Sequence, residues 1–143
     1  MLKVLLPVDG SENATRATQK LIESVGWYKE PPRVDLLAVH LPVPRFSNMS
    51  VVISNEMIER YYVEECDAML APSKKALDAA GVSYIPHRLV GAIAESIIEQ
   101  AKQLDSTIIY MGTRGMTALS NMVLGSIATR VLHLTHIPVV LVH

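Results

Sequence analysis

Residues 3–11 read KVLLPVDGS, and the architecture of the chain can be worked out from this segment outward. Its apolar run, Lys3–Val8, is too short for a helix and ends in Asp9 and Gly10, which are typical of turns. Near-continuous apolar runs of this length are typical of strands buried on both faces, as in parallel sheets. The segment therefore predicts a buried β-strand followed by a tight loop.

Three further segments repeat this pattern, namely Val34–Val39, Thr107–Met111 and Pro138–Val142. A fifth segment, Val82–Val90, is a weaker candidate because Pro86 lies in the middle of it. Proline has no N–H to donate to a neighbouring strand, so it is confined to edge strands and bulges. We expect this segment to be an edge strand or a bulged one.

Helical periodicity fills the intervals between the predicted strands. Apolar residues recur every three or four positions over residues 14–25, 93–104 and 127–134. Gly26 and Pro138 follow the first and last of these stripes, as expected at helix ends. The chain therefore predicts alternating strands and helices, with right-handed crossovers, a five-stranded parallel sheet and helices on both faces.

The second helix is expected to run from about Asn55 to Ala80, with Pro72 inside it. Proline in a helix interior removes a hydrogen bond and clashes one turn back, so we expect a kink or two separate pieces. The preceding segment, Leu41–Ser54, contains prolines and polar residues and predicts a long loop. Loops of this length often carry function, so we expect it to border the functional site of the protein.

Composition restricts the class of protein. The chain has 143 residues, 50% hydrophobic and 19% charged, which indicates one folded domain over 1–143 and excludes intrinsic disorder of the whole. Thirteen basic residues balance fourteen acidic ones without a run of either sign, so neither nucleic acid nor an anionic membrane is an expected partner. No segment has the length of a signal peptide or membrane helix, and Cys66 has no disulfide partner; we expect a cytoplasmic protein.

Glycines and a serine follow the fourth predicted strand as Gly112, Gly115, Gly125 and Ser126. Ligands of open α/β sheets bind at the carboxyl ends of strands, where the winding direction reverses. Glycine lets the backbone approach a ligand, and the N–H groups of a helix that begins near Ser126 suit a phosphate. Arg114 adds a positive charge. The alternative is that the glycines form an ordinary loop and Ser126 caps a helix; spacing alone does not separate the two.

Asp9 has two interpretations as well. At the carboxyl end of a strand its carboxylate suits the hydroxyls of a ribose. It is also a common turn residue that assists Ser11 in capping the first helix, and the residues alone favour this second role.

The motif Gly112-x2-Gly115-x9-Gly125-Ser126 resembles the ATP-binding signature of universal stress proteins. The resemblance extends over nearly the whole chain, through LLPVDGSE at 5–12, LLAV at 36–39, GAIA at 91–94 and IPVVLV at 137–142. It implies a Rossmann-like sheet of the adenine nucleotide alpha hydrolase type, with strand order 3-2-1-4-5, which places the strand ends at Asp9 and Gly112 side by side.

The resemblance also implies the ligand and its contacts. The ligand is ATP, or AMP or ADP, with Mg²⁺ or Mn²⁺ carried by the nucleotide near Ser126 and no metal ligands from the protein directly. Asp9 contacts the ribose, and Val8 and Val39 contact the adenine, partly through backbone groups. The implied binding residues are Pro7, Val8, Asp9, Val39, Met111, Gly112, Arg114, Gly115, Gly125, Ser126 and Ile127.

No catalytic base is evident. The Walker lysine is missing, and His133 lies about 10 Å from Ser126 along a helix axis at 1.5 Å per residue. His136 is further on. We therefore expect a nucleotide-binding, stress-response regulatory protein with slow or no hydrolysis. The alternatives are a slow ATPase or adenylyl-transferring enzyme, and an interaction protein whose nucleotide loop is vestigial.

The segment Pro138–Val142 predicts an apolar strand that the implied order places at a sheet edge. Exposed apolar edges are usually covered, and a second copy related by a two-fold axis is the commonest cover. We expect a homodimer through this strand, acting on a protein partner that the sequence does not identify.

Overall fold

Strands and helices alternate along the chain as the periodicity predicts. The computed structural model describes residues 1–44, 54–113 and 124–143. Its elements are β1 (Lys3–Pro7), α1 (Glu12–Ser24), a 3₁₀ turn (Val25–Trp27), β2 (Arg33–His40), α2 (Asn55–Ala79), β3 (Ile85–Val90), α3 (Ile93–Gln103), β4 (Ile108–Gly112), α4 (Ser126–Leu134) and β5 (Val139–Val142).

The five strands form one parallel sheet of order β3-β2-β1-β4-β5, which confirms the predicted order. Strand β1 is central, with Leu5 opposite Asp35 of β2 and Ile109 of β4. Beyond the end of β1, the Val8 N–H still donates to the Leu37 carbonyl at 2.8 Å. The chain winds outward in both directions from β1, so the crevice at its carboxyl end is the switch point of the sheet.

Two apolar clusters cover the two faces of the sheet. Alternate residues of each strand point to opposite faces, so Leu6 and Leu36 pack with α1 and α2 while Leu5 and Leu37 pack with α3 and α4. All four side chains are fully buried. Each such side chain contributes roughly 1.5–3 kcal/mol relative to an exposed one. The helices therefore lie on both faces, as predicted.

Strand β3 is the edge strand that Pro86 indicated. It begins at Ile85, three residues later than the sequence pattern suggested, and Pro86 aligns with Leu36 of β2. An edge strand tolerates a residue without an N–H because one of its sides has no neighbouring strand.

Helix α2 is a single helix that continues through Pro72, so of the two expectations, a kink or two separate pieces, the second is wrong and the first stays a prediction. Buried residues lie on both sides of the proline, with Cys66 and Leu70 before it and Ser73 and Leu77 after it. The Ser73 hydroxyl also lies 2.8 Å from that of Thr18 on α1. Packing of both halves against the same sheet face and against α1 outweighs the lost hydrogen bond.

The carboxyl end of β4 lies unusually close to the first turn of α1. A Cβ built on Gly112 would stand 2.9 Å from the backbone carbon and oxygen of Asn13. The positive-φ glycines of the described chain are Gly10 and Gly81, so Gly112 is not required for a left-handed turn. A glycine at this position is instead explained by the close packing of β4 against α1.

Gly112→Ala is expected to lower the free energy of unfolding by about 1–3 kcal/mol, because the added methyl group overpacks a backbone contact. Urea unfolding followed by circular dichroism measures the change. Gly26→Ala is the matched control, since a Cβ there meets nothing within 4 Å. Its stability is expected to stay the same or rise by up to about 1 kcal/mol. Equal stability of the two variants would contradict the close approach of β4 to α1.

Candidate functional site

The carboxyl ends of β1 and β4 lie side by side and border the crevice at the switch point of the sheet. Leu5 is aligned with Ile109, so Asp9 and Thr113 each lie four residues further along neighbouring strands. Neighbouring strands are about 4.8 Å apart. Helix α1 begins at Glu12, shortly after the end of β1. Helix α4 begins at Ser126, and the residue before it, Gly125, donates its N–H to the carbonyl of Thr113, just after β4. The predicted site residues Asp9, Gly112 and Ser126 are far apart in sequence, and the fold brings them to the same end of the sheet.

Asp9 organises the turn between β1 and α1. Its Oδ1 accepts a hydrogen bond from the Ser11 N–H at 2.9 Å, and the Ser11 hydroxyl accepts one from the Ala14 N–H at 3.2 Å. Ser11 is the N-cap of α1. The other carboxylate oxygen, Oδ2, makes no hydrogen bond to a described residue. Asp9 therefore performs the capping role with one oxygen and leaves the second one available.

Gly10 holds this turn against α2. Its φ of 82° lies in the left-handed region, and a Cβ there would stand 3.4 Å from the Cα of Met69 and 3.6 Å from the carbonyl oxygen of Ala68. A side chain at this position would be strained as well as crowded. The backbone that follows Asp9 is thus held closely against α2.

Among the described residues, no side chain caps the start of α4. Gly125 is the N-cap, with φ −71° and ψ 164°, and its N–H donates to the carbonyl of Thr113. Ser126 is the first helical residue and is exposed, so the interpretation of Ser126 as the helix cap is wrong. The first N–H groups of a helix have no acceptor within it, and together with the helix dipole they attract anions. N–H donors that have no acceptor among the described residues and the exposed Ser126 hydroxyl therefore lie together at this point.

The apolar members of the predicted site are divided between the two faces of the sheet. Val8 belongs to the cluster under α1 and α2, whereas Val39 and Met111 belong to the cluster under α3 and α4, against which Ile127 also packs. Pro7 is half-buried at the end of β1. The side chains of Val8 and Val39 therefore do not line one pocket, and joint contact with a ligand requires backbone groups.

Arg114 and Gly115 lie outside the described residues, as does most of the loop predicted at Leu41–Ser54. Their placement in the site stays a prediction.

An aromatic cluster that the sequence did not reveal lies beside Val39. His40, the last residue of β2, contacts Tyr61 and Tyr62 of α2 edge-on, with ring centroids 5.7 Å and 5.6 Å away. The Tyr62 hydroxyl also accepts a hydrogen bond from the Val43 N–H at 2.7 Å. The cluster attaches the chain after β2 to α2. A sequence pattern does not predict it, because the partners come from different elements.

An ion pair between α3 and α4 was also missed. The Arg130 Nε donates to Glu95 Oε1, which joins the second turn of α4 to the first turn of α3. The hydrogen bond from Arg130 lowers the pKa of the Glu95 carboxyl. Arg130 lies four residues after Ser126, a spacing that places both on one face of the helix and could have identified it.

Within residues 1–44, 54–113 and 124–143, no group of three His, Cys, Asp or Glu side chains is placed to hold a metal ion. None of the helices described is long and apolar enough to cross a bilayer. The described histidines of the last crossover, His133 and His136, are exposed, and His133 lies in the last turn of α4.

Comparison with known proteins gives a consistent result. The model of the universal stress protein family matches residues 1–143. Universal stress protein MJ0531 of Methanocaldococcus jannaschii is 30% identical over 141 residues, which cover 98% of this chain and 81% of that protein. The structure of MJ0577 from the same organism superposes with a TM-score of 0.79 at 25% identity, covering 99% and 94% of the two chains.

A third structure, the universal stress protein of Archaeoglobus fulgidus in complex with dAMP, superposes with a TM-score of 0.66 at 19% identity. The match covers all of this chain and 98% of that one. Fold, strand order and family model agree, and the chain belongs to the universal stress protein family.

Proposed function

We propose that this protein binds ATP, or its relatives ADP and AMP, in the crevice between the carboxyl ends of β1 and β4. The observation that carries the proposal is that two features meet at adjacent strand ends: an Asp9 carboxylate oxygen without a described hydrogen-bond partner, and a helix start at Ser126 that no described side chain caps. One group suits ribose hydroxyls and the other suits phosphate, and they lie at the switch point where such ligands bind.

The residues divide the ligand between them. Asp9 Oδ2 accepts a hydrogen bond from the ribose, while the first N–H groups of α4 and the Ser126 hydroxyl donate to a phosphate. Arg114, Gly115 and Gly112 complete the path along the ribose and phosphates. The adenine lies against the apolar residues of the α3/α4 face, with Val39, Met111 and Ile127 as side-chain contacts and Pro7 and Val8 contributing backbone groups.

The family relative from Archaeoglobus fulgidus was crystallised with dAMP, which has an adenine, a sugar and one phosphate. At 19% identity this likeness speaks for the fold, so the ligand proposal rests on the residues of this chain. A Mg²⁺ or Mn²⁺ ion would arrive with the nucleotide and neutralise part of the phosphate charge. The Ser126 hydroxyl is the protein group nearest to such an ion in this proposal.

We further propose that hydrolysis is slow or absent and that the protein is a cytoplasmic regulator of a stress response. A competent ATPase needs a group that orients water at the γ-phosphate. Among the described residues, His133 and His136 are directed to solvent toward the far end of α4. Single-turnover ATP hydrolysis with Mg²⁺ or Mn²⁺ tests this, and rapid turnover would favour the enzyme instead.

Isothermal calorimetry is expected to give a micromolar Kd for ATP, equivalent to about 8 kcal/mol at 1 μM. Gly125→Val and Gly115→Val are expected to abolish the heat of binding. The Gly125 backbone is extended, a conformation that any residue adopts without strain. The expected loss at Gly125 is therefore due to a clash between the valine side chain and the phosphate.

Gly26→Val is the control, since this glycine lies in the 3₁₀ turn and a Cβ there has open space. It is expected to bind ATP as the wild type does. Absence of heat with ATP, ADP and AMP, together with no nucleotide after mild purification, would leave the loop vestigial and the proposal wrong.

Asp9→Asn is expected to weaken ATP binding by about 1–3 kcal/mol while leaving the fold intact. The amide oxygen still accepts from the Ser11 N–H, but an NH₂ donor replaces the second carboxylate oxygen. Calorimetry measures the affinity, and thermal unfolding measures the stability.

Ser11→Ala provides the opposite control, because it removes the helix cap and keeps the carboxylate. Its stability is expected to fall by about 1 kcal/mol with little change in affinity. If Asp9→Asn binds ATP normally, Asp9 serves the turn alone.

We also propose that β5 pairs with its copy in a homodimer. Strand β5 lies at the edge of the sheet and all four of its residues are only half-buried in the single chain. An apolar edge with unpaired backbone groups is a surface for strand pairing across a two-fold axis.

Val140→Lys is expected to convert the dimer to folded monomers or to a destabilised protein, measured by sedimentation at tens of micromolar and by circular dichroism. Ile85→Lys makes the same change on the opposite edge strand, where Ile85 is exposed, and is expected to leave the dimer unchanged. A wild-type monomer would refute the dimer. A dimer that survives Val140→Lys would place the interface elsewhere.

A further inference from the structure

Arg130, one turn after the start of α4, is a cation that the proposed contacts do not use. Arg130 extends from α4 to the first turn of α3, where its Nε donates to Glu95 Oε1. Both side chains are largely in water, at 61% and 44% exposure. The pair is therefore a surface link between the two helices on this face of the sheet.

Helix geometry directs Arg130 toward the phosphate end of the crevice. Ser126 and Arg130 are four residues apart, about 6 Å along the axis at 1.5 Å per residue. Side chains on a helix lean toward its N-terminus, so the Arg130 stem points back toward the uncapped turn. An extended arginine spans such a distance, and in the structure its Nε is bound to Glu95 of α3.

We propose that Arg130 exchanges its partner Glu95 for the outer phosphates of a bound nucleoside triphosphate, and so makes the site prefer ATP over AMP. This inference rests on the proposed nucleotide site. The helix N–H groups and Ser126 accommodate one phosphate, and the remaining phosphates extend past the helix start. Glu95 is a positioning residue, since it acts only through Arg130.

The exchange is favourable for two reasons. Ion pairs in water contribute little to stability, so leaving Glu95 costs little. A polyphosphate carries more charge than one carboxylate and matches the planar guanidinium with two parallel hydrogen bonds. The link between α3 and α4 is released in the same event, which gives the triphosphate state a structural consequence that the monophosphate state lacks.

The test is calorimetry of ATP and AMP binding to the full chain with Mg²⁺ present. Arg130→Gln is expected to weaken ATP binding about tenfold and AMP binding less than about twofold. Arg130→Lys keeps the charge without the planar fork and is expected to fall between the two. Arg16→Gln is the matched control: Arg16 is an exposed arginine on α1 that hydrogen-bonds Asn13 and pairs with Glu12 of its own helix. The ATP-to-AMP ratio is expected to stay unchanged in it.

A double-mutant cycle separates partner exchange from simple repulsion of phosphate by Glu95. Glu95→Gln frees Arg130 and is expected to strengthen ATP binding about threefold. In the Arg130→Gln background the same change is expected to have no effect. A gain that persists without Arg130 would show that Glu95 acts by its own charge and would overturn the exchange.

The remaining outcomes are distinct. If the wild type binds neither nucleotide, the proposed function itself is wrong. If the wild type binds ATP and Arg130→Gln keeps its ATP-to-AMP ratio, or loses both affinities equally, the nucleotide site stands and the role of Arg130 is refuted.

Discussion

Strand β1 hydrogen-bonds to β2 on one side and to β4 on the other, and Val4, Leu5 and Leu6 within it have no exposed surface. Every other layer is placed relative to this strand. Its alternating side chains anchor both apolar clusters, and the winding of the chain reverses across it. Because the crossovers on its two sides leave in opposite directions, a crevice remains at its carboxyl end. The candidate site is a consequence of how the central strand is buried.

The elements were predictable because their signals are local. Apolar runs identified the strands to within one residue at each end, except β3, where Val82 to Tyr84 precede the strand. Pro86 correctly indicated an edge, but Pro72 suggested a break that tertiary packing overrides. The strand order came from the family resemblance, since periodicity does not contain pairing information.

The sequence named the residues of the candidate site but did not predict the contacts that place them. Gly112 was expected to let the backbone approach a ligand, and the structure adds a second reason for it, the close packing against Asn13 about a hundred positions away. Asp9 can both hold the turn before α1 and contact a ribose, because its carboxylate has two oxygens. The structure shows that Oδ1 accepts the hydrogen bond from the Ser11 N–H, which the sequence alone does not reveal. The Glu95–Arg130 pair joins two helices, so no local pattern contains it. What sequence reasoning missed are contacts between elements.

The two edges of the sheet differ in chemistry. Strand β5 is a row of half-buried aliphatic residues, whereas β3 carries Pro86, a His87 bonded inward to Asp35 and an Arg88 bound to Asp67. A proline at an edge removes a donor that an added strand would need. The β5 edge can therefore accept a further strand, whereas the β3 edge lacks a donor that such a strand would need. In the homodimer proposed above, the joined sheet would end in a β3 strand on each side, which disfavours the open-ended edge pairing that leads to fibres.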